Sequence, residues 1–268
     1  MTRLFFSIVL FLAGAVVANA QTGATPPAAK PALNSLKQAS WMELEEGLSL
    51  LRILTPQGVV VTAYRVSPKR FEFSVVTQSR KTGSRVKEIG EATGAVIATN
   101  AGFFAVNGNN RLYSIGYLRL GGEVLSKGWV SAGGTVTLMP NGLSLKPTHE
   151  GIPQNEFDVL QSRPMIIEPG GIWSMGSNSG APKLRTLLCT LKNGDVILVT
   201  ISRFGLTLFE AGWLLRSPSD GGYFGCDAAI ALDGGRSTQL WHSGNPQYSF
   251  SGITPVHNFL IIRQREIP

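Results

Sequence analysis

Apolar and polar residues alternate most clearly from Arg70 onward, where Phe71, Phe73 and Val75 share one parity and Glu72 and Ser74 lie between them. A period of two is that of a half-buried strand. The apolar stretch from Val59 to Val66 precedes it across Ser67, Pro68 and Lys69, and reads as its hairpin partner. Three further pairs of apolar runs are separated by Asn141-Gly142, Gly170-Gly171 and Asn193-Gly194. Such dipeptides accept the positive φ angles of tight hairpins. Helical periodicity is rarer. Ser84 to Glu91 places Val86 and Ile89 on one face. Leu208 to Arg216 is better framed, because Thr207 and Glu210 make a capping-box pattern and Ser217-Pro218 stops the helix. Strands outnumber helices, and the helices are interspersed. The expected class is therefore α+β, with a large twisted β-sheet, mixed or mostly antiparallel.

The N-terminus breaks this pattern. Behind Arg3, an apolar run from Leu4 to Val17 is interrupted only by Ser7 and Gly14, and it closes on Ala18-Asn19-Ala20. A positive start, a short apolar stretch and a small-x-small site describe a secretory signal over residues 1–20, cut before Gln21. A spanning helix needs about 20 apolar residues, and this run is shorter. The expected location is secreted or periplasmic, with no stable membrane span after cleavage. Residues 21–40 carry Pro26, Pro27, Pro31 and many alanines and read as a linker, so the folded domain is expected over 41–268.

The net charge of +7 suits an anionic substrate such as a phosphate-bearing polymer, but scattered charges equally describe ordinary solvation. No nucleic-acid-binding signature is present. Cys189 and Cys226 both sit in apolar surroundings, which fits either a disulfide or two buried thiols. His149, His242 and His257 are scattered, and neither a Gly-x-Ser-x-Gly elbow nor a phosphate-binding loop ending in Gly-Lys occurs. Histidine-ligated zinc hydrolases, serine hydrolases and NTPases are disfavoured. No cofactor is firmly implied. A divalent cation held by carboxylates is compatible with the Asp and Asn residues, though no spacing specifies one.

Two apolar strands run into glycine-rich turns that carry polar groups. One ends Asn100-Ala101-Gly102-Phe103-Phe104, the other Asp233-Gly234-Gly235-Arg236-Ser237-Thr238. Glycines there let the chain turn sharply and expose its N–H groups to a ligand. Either could be a simple turn; two together point to a site.

These turns, taken with four other motifs in order, resemble the phosphodiester glycosidase family over roughly residues 85–263. Asn100-Ala101-Gly102-Phe103-Phe104 is similar to the family's Asn-Gly-Gly-Phe-Phe. The segment from Leu160 to Ile167 resembles one that often carries Gly-Pro. Leu184-Arg185-Thr186 resembles its Arg-Thr strand, and Leu206 to Glu210 its Leu-Thr-x-x-Glu helix start. Ala231 to Thr238 resembles Asn-Leu-Asp-Gly-Gly-Gly-Ser, and Val256 to Ile262 the last strand. Ala101 and Arg236 stand where glycine is common, which bears on substrate more than on fold.

The resemblance implies an exported hydrolase that cleaves a sugar-1-phosphodiester into free sugar and a phosphomonoester. Its implied catalytic residues are Asp233 and Glu210. Its implied substrate contacts are Asn100, Gly102, Phe103, Arg185, Gly234, Gly235, Arg236, Ser237 and Thr238. The chemistry is coherent, because the departing phosphomonoester has a second pKa of about 6 and leaves far more readily than an alcohol. Such a site needs cationic and N–H donors for phosphate and one carboxylate for water or the sugar cation. Each residue also has a plainer role. Asp233 can cap its own turn, Arg185 can be a surface strand residue, Glu210 is first a helix cap, and Phe103 and Phe104 can be core. The alternative function is a non-catalytic module that binds a glycan or sugar phosphate.

Overall fold

A computed structural model describes residues 24–78, 82–128, 133–154 and 157–266 of the chain. The export signal expected over residues 1–20 lies outside them. Every strand pairing among the described residues is antiparallel.

The largest sheet has eight strands, in the order Met42–Glu45, Leu48–Leu54, Val60–Val66, Val196–Leu206, Lys183–Thr190, Ala228–Ala231, Met165–Glu168 and Ile172–Trp173. Alternation along these strands builds a core on each face. Leu187, Cys189, Val199, Ile201, Ala229 and Ala231 share one cluster with the helices Lys30–Gln38 and Leu208–Leu215. Leu188, Leu198, Ile230 and Leu232 share the other with two smaller sheets. One of these has four strands, in the order Leu240–His242, Ile97–Asn100, Asn258–Gln264 and Phe71–Thr77. The other has five, centred on Gly134–Met139 and Asp158–Ser162. The helix Val86–Thr93 covers the outer face of the four-stranded sheet, where Val86 packs with Ala98, Phe259 and Ile261. The α+β class and the antiparallel sheet expected from the pattern are what the chain adopts.

The hairpins expected at Asn141-Gly142, Gly170-Gly171 and Asn193-Gly194 join antiparallel neighbours. At the last, Gly194 has φ +88° and the Asn193 side chain accepts from Asp195 N at 3.1 Å. The hairpin expected across Ser67, Pro68 and Lys69 does not form. Val60–Val66 pairs with Leu48–Leu54 and Val196–Leu206, whereas Phe71–Thr77 pairs with Asn258–Gln264 in the other layer. The intervening turn carries the chain from one sheet to the next. Tyr64 and Val66 then face Phe71 and Phe73 across the core, not along a ladder.

The linker expected over residues 21–40 is also corrected. Lys30–Gln38 is a helix with Pro in its first turn, and Ala32, Leu33 and Leu36 are buried against the large sheet. A helix this short does not stand alone in water. Two buried leucines, each contributing about 1.5–3 kcal/mol, hold it to the domain. Cys189 and Cys226 form a disulfide across 37 residues within the same core layer. A cross-link of that span removes denatured-chain entropy equivalent to about 4 kcal/mol.

Candidate functional site

The two glycine turns meet at one end of the molecule, where the four-stranded sheet abuts the large one. Asn100, the last residue of its strand, makes the join. Its Oδ1 accepts from Thr186 Oγ1 at 2.8 Å and from Gln239 N at 3.0 Å, while Nδ2 donates to the Asp233 carbonyl at 2.6 Å. With 1% of its surface exposed, Asn100 ties three segments together. Ala101 continues the tie, as its carbonyl accepts from Asp233 N at 2.9 Å and its N–H donates to the Asn258 carbonyl at 3.1 Å. At Gly102 a Cβ would stand 2.7 Å from Leu160, so this glycine is set by packing. Phe103 and Phe104 are half-buried, and Phe104 packs on the cluster beneath the Val86–Thr93 helix.

Asp233 lies two residues beyond Ala231, which is paired with Leu187. It is therefore level with Arg185 on the neighbouring strand. Its Oδ1 accepts from Gly234 N at 2.8 Å, and the Ser237 side chain also hydrogen-bonds to the carboxyl. Burial nevertheless pushes the carboxyl above its ordinary value, against those two hydrogen bonds. Beyond it the chain opens. Gly234 faces the Leu184 carbonyl, with room for little else, whereas Gly235 (φ +61°) faces open space. Among the described residues, the N–H groups of Gly235 and Arg236 donate to no protein acceptor. Arg236 is exposed; its Nε donates to Thr254 Oγ1 at 3.3 Å, and its carbonyl accepts from Ile253 and Thr254. Thr238 is fully buried, with no hydrogen-bond partner for Oγ1 among the described residues.

Arg185 is half-buried, and its Nε donates to the Leu206 carbonyl at 2.9 Å while one terminal nitrogen donates to the Ala181 carbonyl at 3.3 Å. Desolvation lowers its pKa, and the nearby Glu210 carboxylate opposes that effect. Two backbone anchors thus aim the guanidinium and leave other donors unused. Glu210 is 6% exposed and forms the capping box expected from the sequence. Its Oε2 accepts from Thr207 N at 2.9 Å, Thr207 Oγ1 accepts from Glu210 N at 3.1 Å, and Asn178 Nδ2 donates to its Oε1 at 3.2 Å. Among the described residues no group of three His, Cys, Asp or Glu side chains is placed to hold a metal ion.

One deciding observation comes from comparison with known families. The sequence profile of the phosphodiester glycosidases matches residues 93–263. The chain belongs to the phosphodiester glycosidase family. That span takes in Asn100, Arg185, Glu210 and Asp233 together. Solved structures share the fold at low identity. The catalytic domain of zebrafish N-acetylglucosamine-1-phosphodiester alpha-N-acetylglucosaminidase is 14% identical with a TM-score of 0.60, over 85% of this chain and 87% of that one. A protein of Synechocystis is 15% identical with a TM-score of 0.57, over 85% of this chain and 64% of that one. A protein of Burkholderia pseudomallei is 10% identical with a TM-score of 0.54, covering 80% and 74%. No curated protein sequence matches significantly.

Within this family member the structure brings Asp233, Gly234, Gly235, Ser237 and Arg185 to one sheet edge, with Glu210 behind Arg185. Asn100 and Gly102 lie beneath them as supports. Asn178, Thr186 and Gln239 were not singled out by sequence. Thr186 and Gln239 hold Asn100, and Asn178 belongs to a polar loop with no periodicity to mark it. Their roles come from a partner 86 or 139 positions away or from an irregular loop, and a linear pattern carries neither.

Proposed function

We propose that the chain is an exported hydrolase that cleaves the sugar–oxygen bond of a sugar-1-phosphodiester, releasing free sugar and a phosphomonoester. The observation that carries this reading is the pairing at one edge of a carboxyl raised by burial, Asp233, with cationic and N–H donors beside it. A carboxyl shifted toward neutrality is suited to taking a proton from water as that water attacks the anomeric carbon. The free donors of Arg185 and the N–H groups of Gly235 and Arg236 suit the phosphate oxygens, whose charge grows as the sugar–oxygen bond breaks. Ser237 fixes the carboxyl, and Glu210 supports the charge and position of Arg185 from behind. The phosphomonoester is a good leaving group, so a second, acidic carboxyl is less necessary than in an ordinary glycosidase.

The Cys189–Cys226 disulfide favours an oxidising compartment, in keeping with the signal expected over residues 1–20. Among the described residues no helix is long and apolar enough to cross a membrane. N-terminal sequencing of exported protein, with Gln21 first, tests that part. Incubation of the mature protein with a panel of sugar-1-phosphodiesters, with free reducing sugar as the readout, tests the reaction. Saturable binding without release would instead identify a sugar-phosphate-binding module.

A further inference from the structure

Arg216 directly follows the helix Leu208–Leu215 and is 8% exposed. Its guanidinium carbon stands 4.3 Å from the centre of the Trp213 ring and 5.2 Å from that of Trp173. The two rings are tilted by 59° with centroids 6.3 Å apart, so they wall a notch around the cation. Phe209 meets Trp173 edge-on at 5.4 Å and braces that wall. The notch is built into the fold. Trp173 lies on the last strand of the large sheet, and a Cβ on Gly212 would stand 2.9 Å from its ring. Glycine at that place lets the ring lie against the helix. With Trp173 half-buried and Arg216 not fully enclosed, the notch reaches the surface.

A buried arginine ordinarily faces a carboxylate or other acceptors. The Arg216 side chain makes no ion pair and no hydrogen bond among the described residues. It does not cap its helix either. The carbonyls of Leu214, Leu215 and Arg216 accept instead from the backbone N–H groups of Tyr223, Phe224, Cys226 and Gly225. Trp213 Nε1, enclosed in the same cluster, also lacks an acceptor. The ring faces attract the cation but leave its planar fork of N–H donors unmatched. The notch is at the opposite end of the helix from Glu210, about 9 Å along its axis, and so apart from the Asp233 edge.

We propose that the notch of Arg216, Trp173 and Trp213 is a binding site for an oxyanion group, phosphate or carboxylate, distinct from the hydrolytic edge. The planar fork takes two oxygens of such a group side by side, and the indole walls shield the pair from water. This goes beyond the proposed reaction and does not depend on it.

The test titrates the purified protein with inorganic phosphate and, separately, with acetate, at fixed pH and at an ionic strength held with chloride. Tryptophan fluorescence is the readout, because two indoles line the notch, and the melting temperature is followed beside it. A saturable change in both is expected. Arg216→Met keeps an extended side chain in the aromatic cluster and removes the fork. Its apparent Kd is expected to weaken at least about tenfold, the scale of one charge-assisted hydrogen bond. Arg185→Lys is expected to keep the signal. Saturation by phosphate alone assigns the site to phosphate groups, by acetate alone to carboxylates, and by both to either. No saturable change in the parent with either anion overturns the site. So does a signal that survives in Arg216→Met, or one that is lost in Arg185→Lys instead. If Arg216→Met does not fold, Arg216→Lys takes its place. It keeps the charge without the fork, and binding equal to the parent's overturns the proposal.

Discussion

At Asp233 the charge proposed to serve the chemistry opposes the fold. Burial raises its carboxyl above the unfolded value, so the unfolded chain releases this proton at lower pH than the folded one. The group's contribution to stability is then full below the unfolded pKa and is lost as pH rises through the folded one. Asp233→Asn removes that penalty while its side-chain oxygen still accepts from Gly234 N. The variant is expected to melt higher than the parent at pH 7, and the gap to close toward pH 4. Its kcat is expected to fall by at least about a hundredfold, as for loss of a general base. A melting-temperature series across pH, beside single-substrate kinetics, checks both. Arg185 is different, because its geometry matters more than its charge. Its anchors on the Leu206 and Ala181 carbonyls use two nitrogens of the planar fork and aim the rest. An ammonium cannot reproduce that fork, so Arg185→Lys is expected to lower kcat/KM by at least about tenfold although the positive charge is kept.

At the scale of elements, the site depends on how one strand hands over to one helix. Val196–Leu206 delivers Leu206 to Arg185, and the next residue, Thr207, caps Leu208–Leu215. Thr207 Oγ1 also donates to Asn178 Oδ1 at 2.6 Å, so the cap holds the loop that covers Arg185 and Glu210. Thr207→Ala removes both bonds. The expected loss is about 1–2 kcal/mol, the usual range for a lost N-cap. A lower urea midpoint with unchanged slope would check it. The same link means that kcat/KM should fall with the cap, although Thr207 touches no reacting group.

Across the whole molecule, stability responds to pH through histidines packed between layers. His242 stacks on Tyr64, with ring centroids 5.7 Å apart, and meets the Tyr248 ring edge-on. Burial lowers its pKa, and its Nδ1 already accepts from the N–H groups of Gly244 and Asn245. His257 is lowered by burial as well. The unfolded chain protonates these rings near the ordinary value of about 6.5, before the folded chain does, so stability falls as pH drops below it. His242→Asn keeps a side-chain acceptor but does not titrate. Chemical denaturation at pH 7 and pH 5.5 should show its deficit relative to the parent shrinking at the lower pH. What the sequence determined by itself was local. Alternation, Asn-Gly and Gly-Gly turns and the Thr207–Glu210 box mark strands, hairpins and a helix, because each depends on residues a few positions apart. The two glycine turns were legible as a candidate site for the same reason. Tertiary structure alone decided which strands share a sheet, since Phe71–Thr77 has the same alternation whether it pairs with Val60–Val66 or with Asn258–Gln264. It also decided that the Pro- and Ala-rich stretch from Lys30 to Gln38 is a docked helix, because two leucines suffice only when a sheet face is there to receive them. The Asn100 tie comes from contacts between segments far apart in the chain, where no local pattern records it.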